Sequence, residues 1–75
     1  MADLPALAAG GLVNRLRELR AERQLTQAQL GEMVGVSRKT INTVENCVFI
    51  PSTLLALKLA RALNVPVEAL FSIAE

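Results

Sequence analysis

The sequence predicts an all-α domain of five short helices, and three observations carry that prediction. Apolar residues recur at helical spacing through most of the chain. Helix starts and stops stand between those runs: Thr26, Ser37 and Ser52 as caps, Gly35 and Asn64 as stops, Pro66 as a first helical residue. Hydrophobic residues make up 52% of 75 positions, and the only aromatics are Phe49 and Phe71, so the core is aliphatic. No strand is expected. The apolar run that begins at Val48 is short and is closed by Pro51.

A chain of 75 residues is one domain. It buries a modest share of its surface and is marginal alone, which makes oligomerisation one remedy. The net charge of +1 does not by itself point to a polyanionic partner. The distribution says more: residues 14–46 hold six cations (Arg15, Arg17, Arg20, Arg23, Arg38, Lys39) against four Glu. With no His and one Cys, Cys47, no zinc site can be assembled and no intramolecular disulfide can form. A reducing cytoplasm fits that usage. No apolar run approaches the roughly 20 residues of a membrane helix, and an N-terminus with Asp3 and no cation is a poor signal peptide.

Residues 1–11 are Ala- and Gly-rich and read as a flexible tail ahead of a domain over residues 12–75. Asp3 and Pro5 could start a short helix there, which Gly10 and Gly11 would end. Residues 12–23 are the first firm helix. Leu12, Leu16 and Leu19 form its buried stripe, and Arg15, Arg17, Glu18, Glu22 and Arg23 are solvent candidates. Arg15 with Glu18 or Glu22 could form helical ion pairs.

The second helix starts at Thr26. Gln29, three residues on, completes a capping box. Leu30, Met33 and Val34 then recur at helical spacing. Gly35 stops the helix, because Gly reaches the left-handed conformation without strain. Gly31 sits where this helix would cross the next, and a larger side chain would push the two apart. Val36 plugs the corner and Ser37 caps the third helix. On a wheel of about 100° per residue, Thr40, Ile41 and Val44 share one side of that helix. Arg38, Asn42, Asn46, Lys39 and Thr43 occupy the other, within an arc of about 140°. Two cations and three hydrogen-bonding side chains on one face suit base-pair edges and the phosphates beside them.

The apolar run Val48-Phe49-Ile50 must bury against something. Phe49 could fold back as a core plug, or Val48, Phe49 and Ile50 could pack on a second protomer. Cys47 could be a redox-sensitive thiol or a passive one. Ser52 caps the fourth helix, whose Leu55, Ala56, Leu59, Ala60 and Leu63 face the core. Leu54 and Leu57 lie nearer the charged side than a monomer needs, a second hint of an interface. Pro66 opens a last short helix anchored by Leu70 and Phe71.

Over residues 14–71 the chain resembles the helix-turn-helix domain of the phage repressor and Cro family, with a lambda repressor-like five-helix fold. The resemblance runs through Arg-Leu-Arg-Glu-Leu-Arg, Leu-Thr-Gln-Ala-Gln-Leu, Gly-Val-Ser, Thr-Ile-Asn-Thr-Val-Glu-Asn, Pro-Ser and Leu-Ala-Arg-Ala-Leu. It implies that Arg20 pairs with Glu45 as a structural ion pair, although Arg20 could instead touch a phosphate. It implies base contacts at Arg38, Lys39 and Thr43, and backbone contacts at Gln27, Ser37, Thr40 and Asn46. Chemistry adds that Arg38 and Lys39 can address guanine, Asn42 adenine and the Thr43 methyl thymine. The resemblance also implies a dimer built around Val65, Pro66, Val67, Leu70 and Phe71. One departure stands out. The family continues Glu-Asn-Gly and then a cation, whereas this chain has Glu45-Asn46-Cys47-Val48. The exit from the third helix is therefore strained, or Asn46 takes the left-handed role, and one phosphate contact is lost.

The expected function is sequence-specific binding of double-stranded DNA as a homodimer, most often repressing transcription. The alternative is a protein-interaction module of the same fold, such as an antitoxin or co-activator. An enzyme is not expected: there is no His, no carboxylate cluster, no Gly-rich phosphate loop and no Cys–His pair. No cofactor, metal or membrane partner is expected either.

Overall fold

A computed structural model describes residues 11–74 and the backbone of Ala6–Ala8. The elements run β1 (Ala6–Ala8), β2 (Leu12–Asn14), α1 (Leu16–Glu22), α2 (Gln27–Val34), α3 (Arg38–Glu45), α4 (Thr53–Leu63), α5 (Val67–Leu70) and β3 (Phe71–Ile73). The domain is thus all-α in its body, with five helices and a small sheet.

That sheet corrects the sequence reading. β2 lies between β1 and β3 and pairs antiparallel with both. Leu12 stands opposite Ala8 on one side and Ile73 on the other. The first helix accordingly begins at Leu16 rather than Leu12. Its start is set by Asn14, whose Oδ1 accepts the Leu16 amide at 2.8 Å. An Asn side chain that satisfies a free amide favours a helix boundary over a helix interior. The pairing partner, β3, comes from the far end of the chain, so helical periodicity had no access to it. The tail reading over 1–11 meets a strand at Ala6–Ala8, and its remaining part at 1–5 and 9–10 lies outside the described residues.

The core is aliphatic. Leu16, Leu30, Ile41, Val44, Leu59, Leu63 and Leu70 have no exposed surface, and at least one comes from each of the five helices. Each such burial contributes roughly 1.5–3 kcal/mol relative to an exposed side chain. Leu19, Leu25, Val36, Val65 and Phe71 pack against this cluster from its edges. The chain ends are tied together where the Arg15 amide donates to the Leu70 carbonyl at 2.9 Å.

Helix exits follow a common pattern. Gly35 ends α2 in the left-handed region at φ 78°, and Asn64 ends α4 there at φ 57°. The exit from α3 departs from expectation. Asn46 keeps φ −89°, and Cys47 takes the left-handed conformation at φ 61°. The Cys47 amide reaches Val44 O at 3.1 Å and the Val48 amide reaches Thr43 O at 3.0 Å. These two bonds satisfy the last carbonyls of α3. Asn46 remains within the helical bonding pattern, its own amide donating to Asn42 O at 3.0 Å, and the left-handed position falls one residue later.

Candidate nucleic-acid interface

α2 and α3 are set by local chemistry. Thr26 Oγ1 accepts the Gln29 amide at 3.0 Å, and Gln29 Oε1 accepts the Thr26 amide at 2.8 Å. Ser37 Oγ accepts the Thr40 amide at 3.1 Å. Gly31 is buried at the crossing. A Cβ there would lie 2.6 Å from the Val36 carbonyl oxygen and 3.3 Å from Ser37. What glycine makes room for is therefore the turn backbone that leads into α3.

Ile41 and Val44 lock α3 into the core, which turns its opposite face outward. Arg38 and Lys39 are exposed, and among the described residues neither joins a salt bridge. Ser37 is exposed, and its Oγ also lies 3.1 Å from Thr40 Oγ1. Thr43 is half-buried, and its Oγ1 donates to Thr40 O at 2.8 Å, which spends its proton on the helix.

Beneath this face lies a buried carboxylate. Glu45 is 3% exposed. Arg20 Nε donates to Glu45 Oε2 at 2.5 Å, and Arg20 Nη2 to Glu45 Oε1 at 3.2 Å. Arg20 Nη1 donates to the Leu25 carbonyl at 2.7 Å. Gln27 Nε2 donates to Glu45 Oε1 at 3.0 Å, and Arg17 Nε to the same oxygen at 3.5 Å. Burial by itself pushes the Glu45 carboxyl up. The hydrogen bonds from Arg20, Gln27 and Arg17, with the charge of Arg20, outweigh it and hold the group below its ordinary value.

Three side chains assigned to DNA from sequence also bond to one another. Asn42 Nδ2 lies 3.5 Å from Gln27 Oε1, and Asn46 Nδ2 lies 3.1 Å from Asn42 Oδ1. Asn42 and Gln27 are half-buried, whereas Asn46 is exposed. Arg17, read from sequence as a solvated cation, donates from Nη2 to Asn46 Oδ1 at 2.5 Å. A signal for it was present: Arg17 and Arg20 are three residues apart and share one helix face. Asn14 was missed as well. Its Nδ2 donates to the Val44 carbonyl at 2.6 Å and ties the start of α1 to the end of α3.

The residues assigned to a dimer interface divide three ways. Val48, Phe49, Ile50 and Pro66 are exposed, with Val48 at 77%. Phe49, 44% exposed, does not plug the core; it lines a surface cleft with Val36, Thr40 and Leu54. Val65, Val67 and Phe71 are half-buried against the core. Leu70 is fully buried within its own chain and cannot meet a partner, because the short α5 turns it inward to hold β3 and α4 together.

Two capped helices around a tight turn, with a cationic and amide-rich face on the second, define a helix-turn-helix domain. Residues 16–70 match the helix-turn-helix family. An uncharacterized HTH-type transcriptional regulator of Bacillus subtilis (strain 168), YgzD, is 42% identical over 62 residues, covering 83% of this chain and 94% of its own. Among solved structures, the P22 c2 repressor in complex with a synthetic operator superposes with a TM-score of 0.70 at 35% identity, over 72% of this chain and 82% of that one. The restriction-modification controller protein C.AhdI of Aeromonas hydrophila gives the same TM-score, 0.70, at 37% identity and the same coverage, 72% and 82%. The chain belongs to the helix-turn-helix family of the phage repressor and Cro type, a family of DNA-binding transcriptional regulators.

Proposed function

We propose that this protein is a cytoplasmic, sequence-specific transcriptional regulator that lays α3 in the major groove of double-stranded DNA as a homodimer and represses by occupying its site. The observation that carries this reading is the outward pair Arg38 and Lys39. They stand near the start of a helix whose other side is locked to the core and whose end is fixed by Glu45. The first residues of such a helix reach base edges. Arg38 and Lys39 address guanine, the Thr43 methyl addresses thymine and Asn42 addresses adenine. Gln27, Ser37, Thr40 and Asn46 meet the phosphates. One helix reads only a few base pairs, so two copies on half-sites about 10 bp apart supply the specificity.

The test is selection from a random duplex library followed by salt-titrated binding of the selected site. Wild type should enrich a near-palindrome. Arg38→Ala and Lys39→Ala should each relax preference at a defined position, by about 1–3 kcal/mol. No enrichment, with weak binding indifferent to both substitutions, would sink the reading.

The exposed Val48 and Ile50, with a net charge of only +1, favour a second reading: a protein-interaction module of the same fold. Salt separates the two. DNA binding weakens steeply as salt rises, whereas an apolar protein contact does not.

A further inference from the structure

The amides beside α3 are joined in a chain that has a direction. Arg17 can only donate and the ionised Glu45 can only accept. Between them the bonds run from Arg17 Nη2 to Asn46 Oδ1 at 2.5 Å, from Asn46 Nδ2 to Asn42 Oδ1 at 3.1 Å, from Asn42 Nδ2 to Gln27 Oε1 at 3.5 Å and from Gln27 Nε2 to Glu45 Oε1 at 3.0 Å. Turning over any one amide would set nitrogen against nitrogen or oxygen against oxygen. A donor fixed at one end and an acceptor at the other leave a single order that satisfies every link.

We propose that Arg17, which lies on α1 outside the helix-turn-helix, is a positioning residue for base reading: through Asn46 it holds the side-chain amide of Asn42 from one side, while Glu45 holds it through Gln27 from the other. This inference rests on the DNA-binding function proposed above. An Asn amide has two donors and two acceptor lone pairs. The chain of bonds uses one of each on Asn42. One N–H and one lone pair remain, the set that the adenine N7 and N6 groups require. Because the amide is already oriented, less side-chain freedom is lost when DNA binds, and an adenine edge is met in one orientation rather than two.

Arg17 can be removed without emptying the core. Its side chain is 58% exposed, and Glu45 keeps both bonds from Arg20 and the one from Gln27. Two measurements on wild type, Arg17→Ala, Arg17→Lys, Asn42→Ala and the double variant Arg17→Ala/Asn42→Ala test the inference. The first follows the side-chain amide resonances of Gln27, Asn42 and Asn46 in the DNA-free protein by NMR. Arg17→Ala should shift the Asn46 and Asn42 signals and speed their exchange with water. Arg17→Lys, which keeps a donor without an acceptor, should restore them in part. The second is base preference from library selection. Arg17→Ala and Asn42→Ala should relax the same base-pair position, each by about tenfold. The double variant should relax it no further than Asn42→Ala alone.

Unchanged amide signals in Arg17→Ala would overturn the inference. So would an Arg17→Ala protein that loses affinity equally on all sequences, with a salt slope smaller by about one, because Arg17 would then be a phosphate contact. Wild type that selects no sequence overturns the DNA-binding function and this inference together. Wild type that selects a site while Arg17→Ala keeps every preference overturns this inference alone.

Discussion

Glu45 decides most at the level of single residues. Its carboxylate is buried, yet three side chains donate to it, so the charged form is favoured in the folded state. The native pKa lies below the ordinary value of 4.5, so the unfolded chain takes up the proton first. The stabilisation is therefore full above the unfolded pKa and is lost as pH falls through the native one. Glu45→Gln should lower stability at neutral pH by about 3–5 kcal/mol, since Arg20 loses its counter-charge while partly buried. The same substitution should flatten the acid limb of the stability curve, as read by denaturant melts from neutral pH down to pH 2. An acid limb identical to wild type would show that another carboxylate controls it. Cys47 is a second residue with a defined effect. A non-Gly residue in the left-handed region costs about 1–2 kcal/mol, whereas Gly gives up about 0.5–1 kcal/mol of chain entropy instead. Cys47→Gly should raise the melting temperature by a few degrees, and the β-branched Cys47→Val should lower it. A lower melting temperature for the Gly variant would mean that the thiol packs more than its position suggests. Cys47 also shows where local reading stops: the loss of Gly was visible in sequence, but which neighbour took the left-handed role was not.

Elements depend on how closely their backbones approach. At Gly31, α2 closes on the turn that leads into α3, and the nearest obstacle to a Cβ is a carbonyl oxygen in that turn, which cannot swing aside like a side-chain end. Gly31→Ala should cost about 1–3 kcal/mol by overpacking. It should also tilt α3, so binding to a selected site should fall by more than the stability loss explains at temperatures where the protein stays folded. A variant with wild-type melting and wild-type affinity would show that the turn relaxes freely. Most of these elements were legible in the sequence. Thr26, Gln29, Gly35, Ser37, Ser52 and Asn64 act at the helix ends where their chemistry places them. The start of the chain was not legible. Leu12, Val13 and Asn14 carry apolar spacing compatible with a helix, but β3 offers a ladder of backbone bonds, and Asn14, the last residue of that ladder, accepts the Leu16 amide where α1 begins. A pairing between the two ends of a chain leaves no local trace.

Across the whole molecule the surface divides by chemistry. The outer face of α3 is polar, while Val48, Phe49, Ile50, Leu54 and Leu57 are exposed apolar side chains. If that apolar surface joins two copies, Phe49→Ala should leave the chain folded, because Phe49 sits outside the core, and should shift sedimentation equilibrium from dimer to monomer. Wild type that stays monomeric at every concentration would remove the dimer, and an unfolded alanine variant would return Phe49 to a role within the chain. The candidate site was partly legible in the same way. A helical wheel identified the outward face of α3, because helical geometry fixes which residues share a side. It could not show that Arg17 reaches Asn46, or that Asn42 and Gln27 bond to each other, because those contacts join α1, α2 and α3 across a tertiary interface. By itself the sequence determined five helices, the caps of the second, third and fourth, and a polar face on the third. Each is a local consequence of side-chain spacing and of which groups can satisfy a free helix end. Only the tertiary structure decided the sheet that joins the chain ends, the burial of Leu70 and the ordered amides between Arg17 and Glu45. Those depend on which distant segments come within hydrogen-bond reach, and that is set once the whole core has packed.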